Sequence, residues 1–422
     1  MGKDRAKIVS VFSIDHRIFI LSGILLLTAC GQAEDSNAVW AEFRGSGQSF
    51  AKDAGLPVEW SDSKNILWKK ALAGEGQSSP VIANQSVYVS STGGDQKEHL
   101  YLEAFALDDG ALQWKAEFAA TQKPEKVTDM ISRGAPTPVV DSHGVYVFFE
   151  SGDLFGLDLE GNTVWERRLA TEFGEYVGGH GIGTSLVNTP DHIILSIDHD
   201  GPSYLLCVKK SDGSTVWKTE RSSRVSWTTP VYRNGEIFVS SNGSVDCYDS
   251  ATGKQIWTVT GIKGNTVASP TLQDDLVVVG SSNPGDCMAI KAGGSGDVTD
   301  TNIVWRAAGV TSSFGSPLIH KNLVFFVNRA GVIQAVHLAD GTLAWQHRLP
   351  SSTWASPLTV GDSVYFFCKD GQTAILSPTV DGPGELVVNE LAVGEGDRIY
   401  GYAVAPEIFI FRTAREVLCI KD

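Results

Sequence analysis

Six cysteines, nine histidines and 49 acidic residues are the raw material for chemistry in this 422-residue chain. The cysteines stand at positions 30, 207, 247, 287, 368 and 419, so none are adjacent and no Cys-x-x-Cys occurs. Redox pairs and zinc sites rest on closely spaced thiols, and neither is signalled. Asp198-His199-Asp200-Gly201 has the look of a calcium loop but lacks the later ligands of an EF-hand, and a hairpin turn is the simpler reading. Gly178-Gly179-His180-Gly181-Ile182-Gly183 is as glycine-rich as a phosphate loop. A strand rather than a helix follows it, so no helix N-terminus would face an anion. No catalytic or metal-binding residue is assigned. What remains is a scatter of aromatics and cations whose meaning depends on the elements that carry them.

Those elements come from a repeat. Tryptophans recur at Trp68, Trp114, Trp165, Trp217, Trp257, Trp305 and Trp345, about 46 residues apart. Ahead of each after the first runs the same text: a Ser/Thr-Pro pair, a β-branched or aromatic run, a small residue between apolar ones, a glycine turn, then Trp. Ser316-Pro317, Val324-Phe325-Phe326, Ala335-Val336, Gly341 and Trp345 make one copy. The third copy has Ser185-Leu186 where Pro is expected. Four strand-length segments per copy predict a four-stranded propeller blade.

Blades begin near 79, 137, 185, 229, 269, 316 and 356, and an eighth near 403–420 lacks its outer strand. Asn65-Ile66-Leu67-Trp68 can supply it, which removes two exposed sheet edges. The fold class expected is therefore all-β, an eight-bladed propeller of antiparallel blades closed by the N-terminal strand. The small residue on the third strand reads Ala106, Gly156, Cys207, Cys247, Ala289, Ala335, Ala374 and Cys419, so three cysteines are expected to be buried small hydrophobes. Each repeat Trp should dock between blades. The seventh blade offers Glu385-Leu386-Val387-Val388 instead and is expected to be the weakest link.

In such a ring, loops entering the first strands and loops joining second to third strands meet at one end of the axis. The first set brings Arg133, His180, Trp227, Phe314, Trp354 and Tyr402; the second includes Glu150, His199, Arg329, Lys369 and Arg412. Trp227 and Trp354 stand outside the repeat series, each two residues before its Ser/Thr-Pro pair. Aromatics beside cations suit a planar anionic ligand or a peptide. They serve equally well to close and hydrate a channel. Arg133, His180, Trp227, Trp354, His199, Arg329, Lys369 and Arg412 form the candidate ligand- or partner-binding funnel. The longest insertion, Ala119 to Ser132, is a charged protrusion suited to partner contact.

With 34 basic against 49 acidic residues the net charge is −15, which gives no general attraction to nucleic acid. Lys3, Arg5, Lys7 and Arg17 precede the uncharged run Ile18 to Ala29, too short for a spanning helix and suited to a signal peptide. Leu27-Thr28-Ala29-Cys30 resembles a bacterial lipobox, with Cys30 the residue that becomes lipidated. The expected organisation is a signal peptide at 1–29, a tether at 30–39, a leader at 40–64 and the propeller at 65–422. A lipid-anchored domain in the bacterial envelope, facing the periplasm or the outside, is implied, and Gly31 favours the outer membrane.

Ala106-Leu107-Asp108, Gly110 and Trp114, with Tyr248-Asp249, Thr252-Gly253 and Trp257, resemble the pyrroloquinoline-quinone (PQQ) type propeller repeat over about residues 60–422. Trp40-Ala41-Glu42-Phe43-Arg44-Gly45 resembles the start of secreted bacterial members. The resemblance implies one of two activities. In quinoprotein dehydrogenases PQQ and Ca²⁺ sit on the axis; the other branch is a non-catalytic lipoprotein scaffold of the outer-membrane β-barrel assembly machine. Fold alone does not choose. The dehydrogenases carry adjacent cysteines, absent here, and no calcium trio or general base is placed by motif. PQQ and Ca²⁺ are thus unsupported by site motifs. The reading leans to a non-enzymatic envelope propeller that binds a protein or small ligand, with the quinoprotein dehydrogenase as the alternative.

Overall fold

The computed structural model describes residues 38–52, 54–124 and 134–422. Cys30, the signal segment 1–29, the tether as far as residue 37, Arg133 and most of the charged insertion lie outside the described residues.

In blades 1 to 7 the inner strand begins at the residue directly after the Ser/Thr-Pro pair, or after Ser185-Leu186 in blade 3. Proline suits this place because the first residue of a strand can do without an N–H to donate. Blade 4 is typical: Val231–Arg233, Glu236–Ser241, Gly243–Asp249 and Gln255–Ile262 pair in that order, all antiparallel. Eight such sheets form an eight-bladed propeller. Blade 8 contributes Gly401–Ala405, Ile408–Arg412 and Glu416–Lys421, and Ile66–Ala71 from the other end of the chain is its outer strand.

The repeat residues hold the blades to one another. On its own sheet each Trp faces the small third-strand residue: Gly156 opposite Trp165, Cys207 opposite Trp217, Cys247 opposite Trp257, Cys419 opposite Trp68. A Cβ on Gly156 would come within 2.3 Å of the Trp165 ring, so the position must be small. In blade 1 the small residue is Ala104, opposite Trp114, and not Ala106, which ends its strand two residues later. Six of the seven indoles also donate to a carbonyl in the next blade, as Trp165 does to Lys210 at 2.7 Å and Trp305 to Leu338 at 2.8 Å. The turn glycine of that next blade lies under the ring. At Gly110, Gly161, Gly213, Gly253 and Gly341 φ is near +70 to +90°, and a Cβ would meet the neighbouring Trp within 2.4–2.6 Å. One glycine thus serves a left-handed turn and a ring contact together.

Blade 7 has no docking Trp, and Val388 stands opposite Ala374. The leader fills the gap. Trp60, buried to 3% exposure, packs 5.8 Å from both Phe409 and Phe411 of blade 8, and its backbone N–H donates to Asn389 of blade 7 at 2.9 Å.

Upstream of Trp60 the leader folds as a hairpin into the axis. Ala38 pairs with Ala83 at the far end of blade 1's inner strand, and Trp40 with Ile82. Ala41 O accepts from Val140 of blade 2, and Asn188 N of blade 3 donates to Glu42 at 2.7 Å. At the apex the Arg44 guanidinium donates to Pro270 O (3.0 Å) and Thr271 Oγ1 (2.6 Å) of blade 5 and to Pro317 O (3.3 Å) of blade 6. The chain then returns past Leu272, Thr359 and Gly361 to Glu407 of blade 8. Gly47 lies against Val231 of blade 4. The strand edges that converge on a propeller axis present backbone groups that need partners, and the hairpin supplies them in half of the channel.

Candidate functional site

The other half of the channel is a funnel of about 390 Å³. Phe43 and Arg44 at the hairpin apex line it from below. Its wall is a ring of hydroxyls, Ser79, Thr137, Ser185, Thr229, Ser269, Ser316 and Ser356, one from each of blades 1 to 7. The ring is hydrogen-bonded head to tail. Ser79 N donates to Thr137 Oγ1 (2.9 Å), Thr137 N to Ser185 Oγ (3.0 Å), Ser185 N to Thr229 Oγ1 (2.9 Å) and Thr229 N to Ser269 Oγ (2.9 Å). Ser269 N to Ser316 Oγ (3.1 Å) and Ser316 N to Ser356 Oγ (3.0 Å) complete the series. From blade 2 to blade 7 the Ser/Thr of each repeat thus accepts the N–H of its counterpart in the preceding blade. That explains why blade 3 keeps Ser185 while losing the proline after it. Gly401 takes the position in blade 8, where a Cβ would approach Ser79 Oγ to 2.4 Å.

His180, Trp227, Phe314, Arg329, Trp354 and Tyr402 of the two loop sets line this funnel. Trp227 meets His180 edge-on (5.8 Å, 71°) and donates to Gly181 O at 3.0 Å. Trp354 stacks on Phe314 at 4.6 Å and 14°. Lys369 joins them with its ammonium 4.7 Å from the Phe314 centroid and 5.4 Å from that of Trp354.

Two members of the candidate set lie elsewhere. His199 is 3% exposed, and its Nδ1 accepts from Val177 N and Gly201 N, both at 3.0 Å. Burial lowers its pKa, so the ring is a neutral brace of the turn between His192–Ile197 and Ser203–Lys209. Arg412 is fully buried and donates to Ser78 O (3.0 Å) and Thr413 O (3.1 Å). Desolvation lowers its pKa to about 9. It bolts blade 8 to blade 1 instead of facing the funnel.

Glu42, Arg398 and Tyr400 have no mark in the repeat, and the sequence pattern does not single them out. Glu42 is half-buried in the channel, where desolvation pushes its pKa up to about 8 against the opposing effects of Asn188 N and Lys210. Cys207, Cys247, Cys287, Cys368 and Cys419 are all buried free thiols, and burial raises the pKa of each, which leaves no reactive thiolate among them. Among the described residues no three His, Cys, Asp or Glu side chains come together as a metal site. The described lining of the funnel carries no Asp or Glu side chain.

A family model for outer membrane protein assembly factor BamB matches residues 43–178, 201–293 and 292–382. The assembly factor BamB of Moranella endobia is 24% identical over 227 residues, 52% of this chain and 52% of the relative. The chain thus spans about half to two-thirds of the length of the first curated relatives it matches. The crystal structure of BamB from Moraxella catarrhalis superposes with a TM-score of 0.61 at 14% identity, over 85% of this chain and 97% of that one. Quinohemoprotein alcohol dehydrogenase from Comamonas testosteroni gives 0.63 at 11%, over 92% and 81%. Scores this close at such identities report the shared propeller and leave the choice to sequence. There the matched segments take in the apex of the hairpin plug and at least two strands of every blade from the first to the seventh, and the chain belongs to the family of outer membrane protein assembly factor BamB.

Proposed function

We propose that this protein is a non-catalytic, lipid-anchored scaffold of the cell envelope that works in the assembly of outer-membrane proteins and engages a protein partner through its funnel mouth. The observation that carries the reading is the family match over most of the chain. The plugged axis agrees with it, since a channel occupied by Glu42, Phe43 and Arg44 is organised around the protein's own leader. Anchoring is assigned to an acyl chain such as palmitate on Cys30, in the outer membrane. His180, Trp227, Arg329, Trp354 and Lys369, together with Arg133, are the surface offered to the partner.

The test is genetic and physical. A strain without the gene should hold less β-barrel protein in its outer membrane, and a photo-crosslinker at Trp227 should capture a component of the assembly apparatus. Cys30→Ala should release the protein from the membrane fraction. Normal outer-membrane protein levels in the deletion strain, with no crosslink, would overturn the scaffold reading.

A further inference from the structure

The funnel mouth is lopsided, and its charge is unbalanced. Trp354, already stacked on Phe314, meets Tyr400 edge-on at 5.7 Å and 80°. Three cations gather at this wall. Lys369 lies against Phe314 and Trp354, Arg398 is 5.4 Å from the Trp354 centroid and 6.0 Å from that of Tyr400, and Arg329 lines the same cavity. Among the described residues none of the three has a carboxylate within ion-pair distance, and none donates a side-chain hydrogen bond. The contrast with the rest of this acidic chain is sharp. Lys97 pairs with Glu150, Lys210 with Asp141, and Arg221 with Asp198. Folding gains nothing from crowding three like charges in a protein that has acids to spare. The Lys369 ammonium registers the crowding: desolvation, then Arg398 and Arg329, hold its pKa below the ordinary lysine value.

Below this wall the ring hydroxyls accept backbone N–H groups and donate to nothing among the described residues. Each keeps a proton for an acceptor in the funnel. Hydroxyl donors around the ring, with cations and ring faces together at one wall, specify a guest that is both anionic and aromatic. The volume of about 390 Å³ lies at the small end of ligand sites, enough for a ring, a carboxylate and a few atoms more.

We infer that the blade 6 to 8 side of the funnel binds an aromatic carboxylate, its ring against Trp354 and Phe314 and its carboxylate among Arg329, Lys369 and Arg398. The inference rests on the mouth being a binding surface, as proposed above, and names the chemistry it selects. Two sources share that chemistry, a free small molecule and a peptide chain ending in an aromatic residue.

Intrinsic fluorescence and thermal shift of the detergent-solubilised full chain, titrated with indole-3-acetate, with a short peptide ending in free Phe, with the same peptide amidated, and with acetate, test it. Saturable binding of an aromatic carboxylate is expected, weakened by about tenfold or more in the amidated peptide, the size of one lost charge contact (about 1.4 kcal/mol), and also in acetate, which keeps the charge but has no ring to stack. Arg329→Gln with Arg398→Gln should weaken it by at least as much, and binding should decline as pH rises through the lowered Lys369 pKa. Tighter binding of the free-acid peptide than of indole-3-acetate assigns a chain terminus, and the reverse assigns a small molecule. No binding at millimolar ligand, or equal binding of acid and amide, would overturn the inference. The outer-membrane phenotype of the deletion strain is read separately, so either proposal can fail while the other stands.

Discussion

Removing one hydroxyl from the axial ring isolates its contribution. In Ser185→Ala the Thr137 N–H loses its acceptor at 3.0 Å, and Ser185 Oγ donates no bond that would be lost with it. Two outcomes compete. If water from the funnel reaches the orphaned N–H, the cost is at most ~1 kcal/mol, the net worth of an exchanged hydrogen bond; if the site stays sealed, it is ~1–3 kcal/mol. Thr137 is 1% exposed and Ser185 2%, which favours the sealed case. A loss of about 2 kcal/mol is therefore expected. Unfolding entropy of about 2.1 cal/mol/K per residue converts this, over a ring of this size, to a Tm drop of roughly 2–3 °C. Amide exchange at Thr137 should accelerate in step, because that N–H has lost its partner. Ser185→Thr is the control: it keeps the oxygen, and threonine already occupies the ring at 137 and 229, so stability and protection should be retained. Unchanged exchange at Thr137 together with an unchanged Tm in Ser185→Ala would refute the bonded ring.

Two further perturbations address the leader. Glu42 has a folded pKa of about 8 against an ordinary 4.5, so the folded state holds its proton more tightly. The associated stability is complete below the unfolded value and is lost as pH rises through the folded one, and at ~1.4 kcal/mol per unit the ceiling is about 5 kcal/mol, reduced by channel water. Glu42→Gln keeps an acceptor for Asn188 N. It should flatten the fall in Tm between about pH 5 and pH 9 and melt above the parent at the alkaline end; a slope equal to the parent's would remove Glu42 as its source. Trp60→Ala should cost ~3–5 kcal/mol as a buried aromatic deletion. Denaturant unfolding against Val58→Ala, an exposed position of the same strap, checks this, and equal losses would show that Trp60 does not join blades 7 and 8.

The ring is legible in the sequence because each repeat residue meets nearly the same local environment in blade after blade. Trp must face a small residue and cover a glycine turn, and Ser or Thr must precede the inner strand, so the spacing of these types carries the blade count. The register slip in blade 1 arises because its second and third strands run eight residues each, longer than the five of blade 2, and two alanines compete for the small position. The hairpin plug is not legible beyond its family resemblance. Its partners run from Ile82 to Glu407, one to three per blade, and leave no local periodicity. For His199 and Arg412 the repeat indicates the correct turns but the wrong side of them. For Arg412, the last residue of Ile408–Arg412, side-chain direction alternates along the strand and one step separates a group that faces the axis from one that faces the next blade. His199 lies in the turn after Ile197 and folds back onto Val177 N and Gly201 N. Arg398 gives no signal because its loop carries no repeat residue at all.

Two different devices complete the inner edges, and their division of the channel accounts for the site. Away from the mouth the leader hairpin reaches into the axis and bonds to the strands directly, which fills that half with Glu42, Phe43 and Arg44. Toward the mouth the blades satisfy one another through the shortest side chains able to accept a hydrogen bond. Only hydroxyls this small close the ring and leave about 390 Å³ empty inside it. The arrangement has one seam. Gly401 interrupts the hydroxyl series between blades 7 and 1, where a side chain would strike Ser79, and here larger groups take over. Tyr402 donates to Pro357 O at 3.1 Å, tying blade 8 to blade 7, while Arg412 crosses to Ser78 of blade 1 and would collide with any side chain at Gly76. Among the described residues Arg412 has no carboxylate within ion-pair distance, and Glu103 and Asp397 offset only part of the desolvation penalty, which a purely local role would not sustain. Its place is explained by the seam: it joins the last blade to the first, beside Gly401, where the backbone-to-hydroxyl series is not continued.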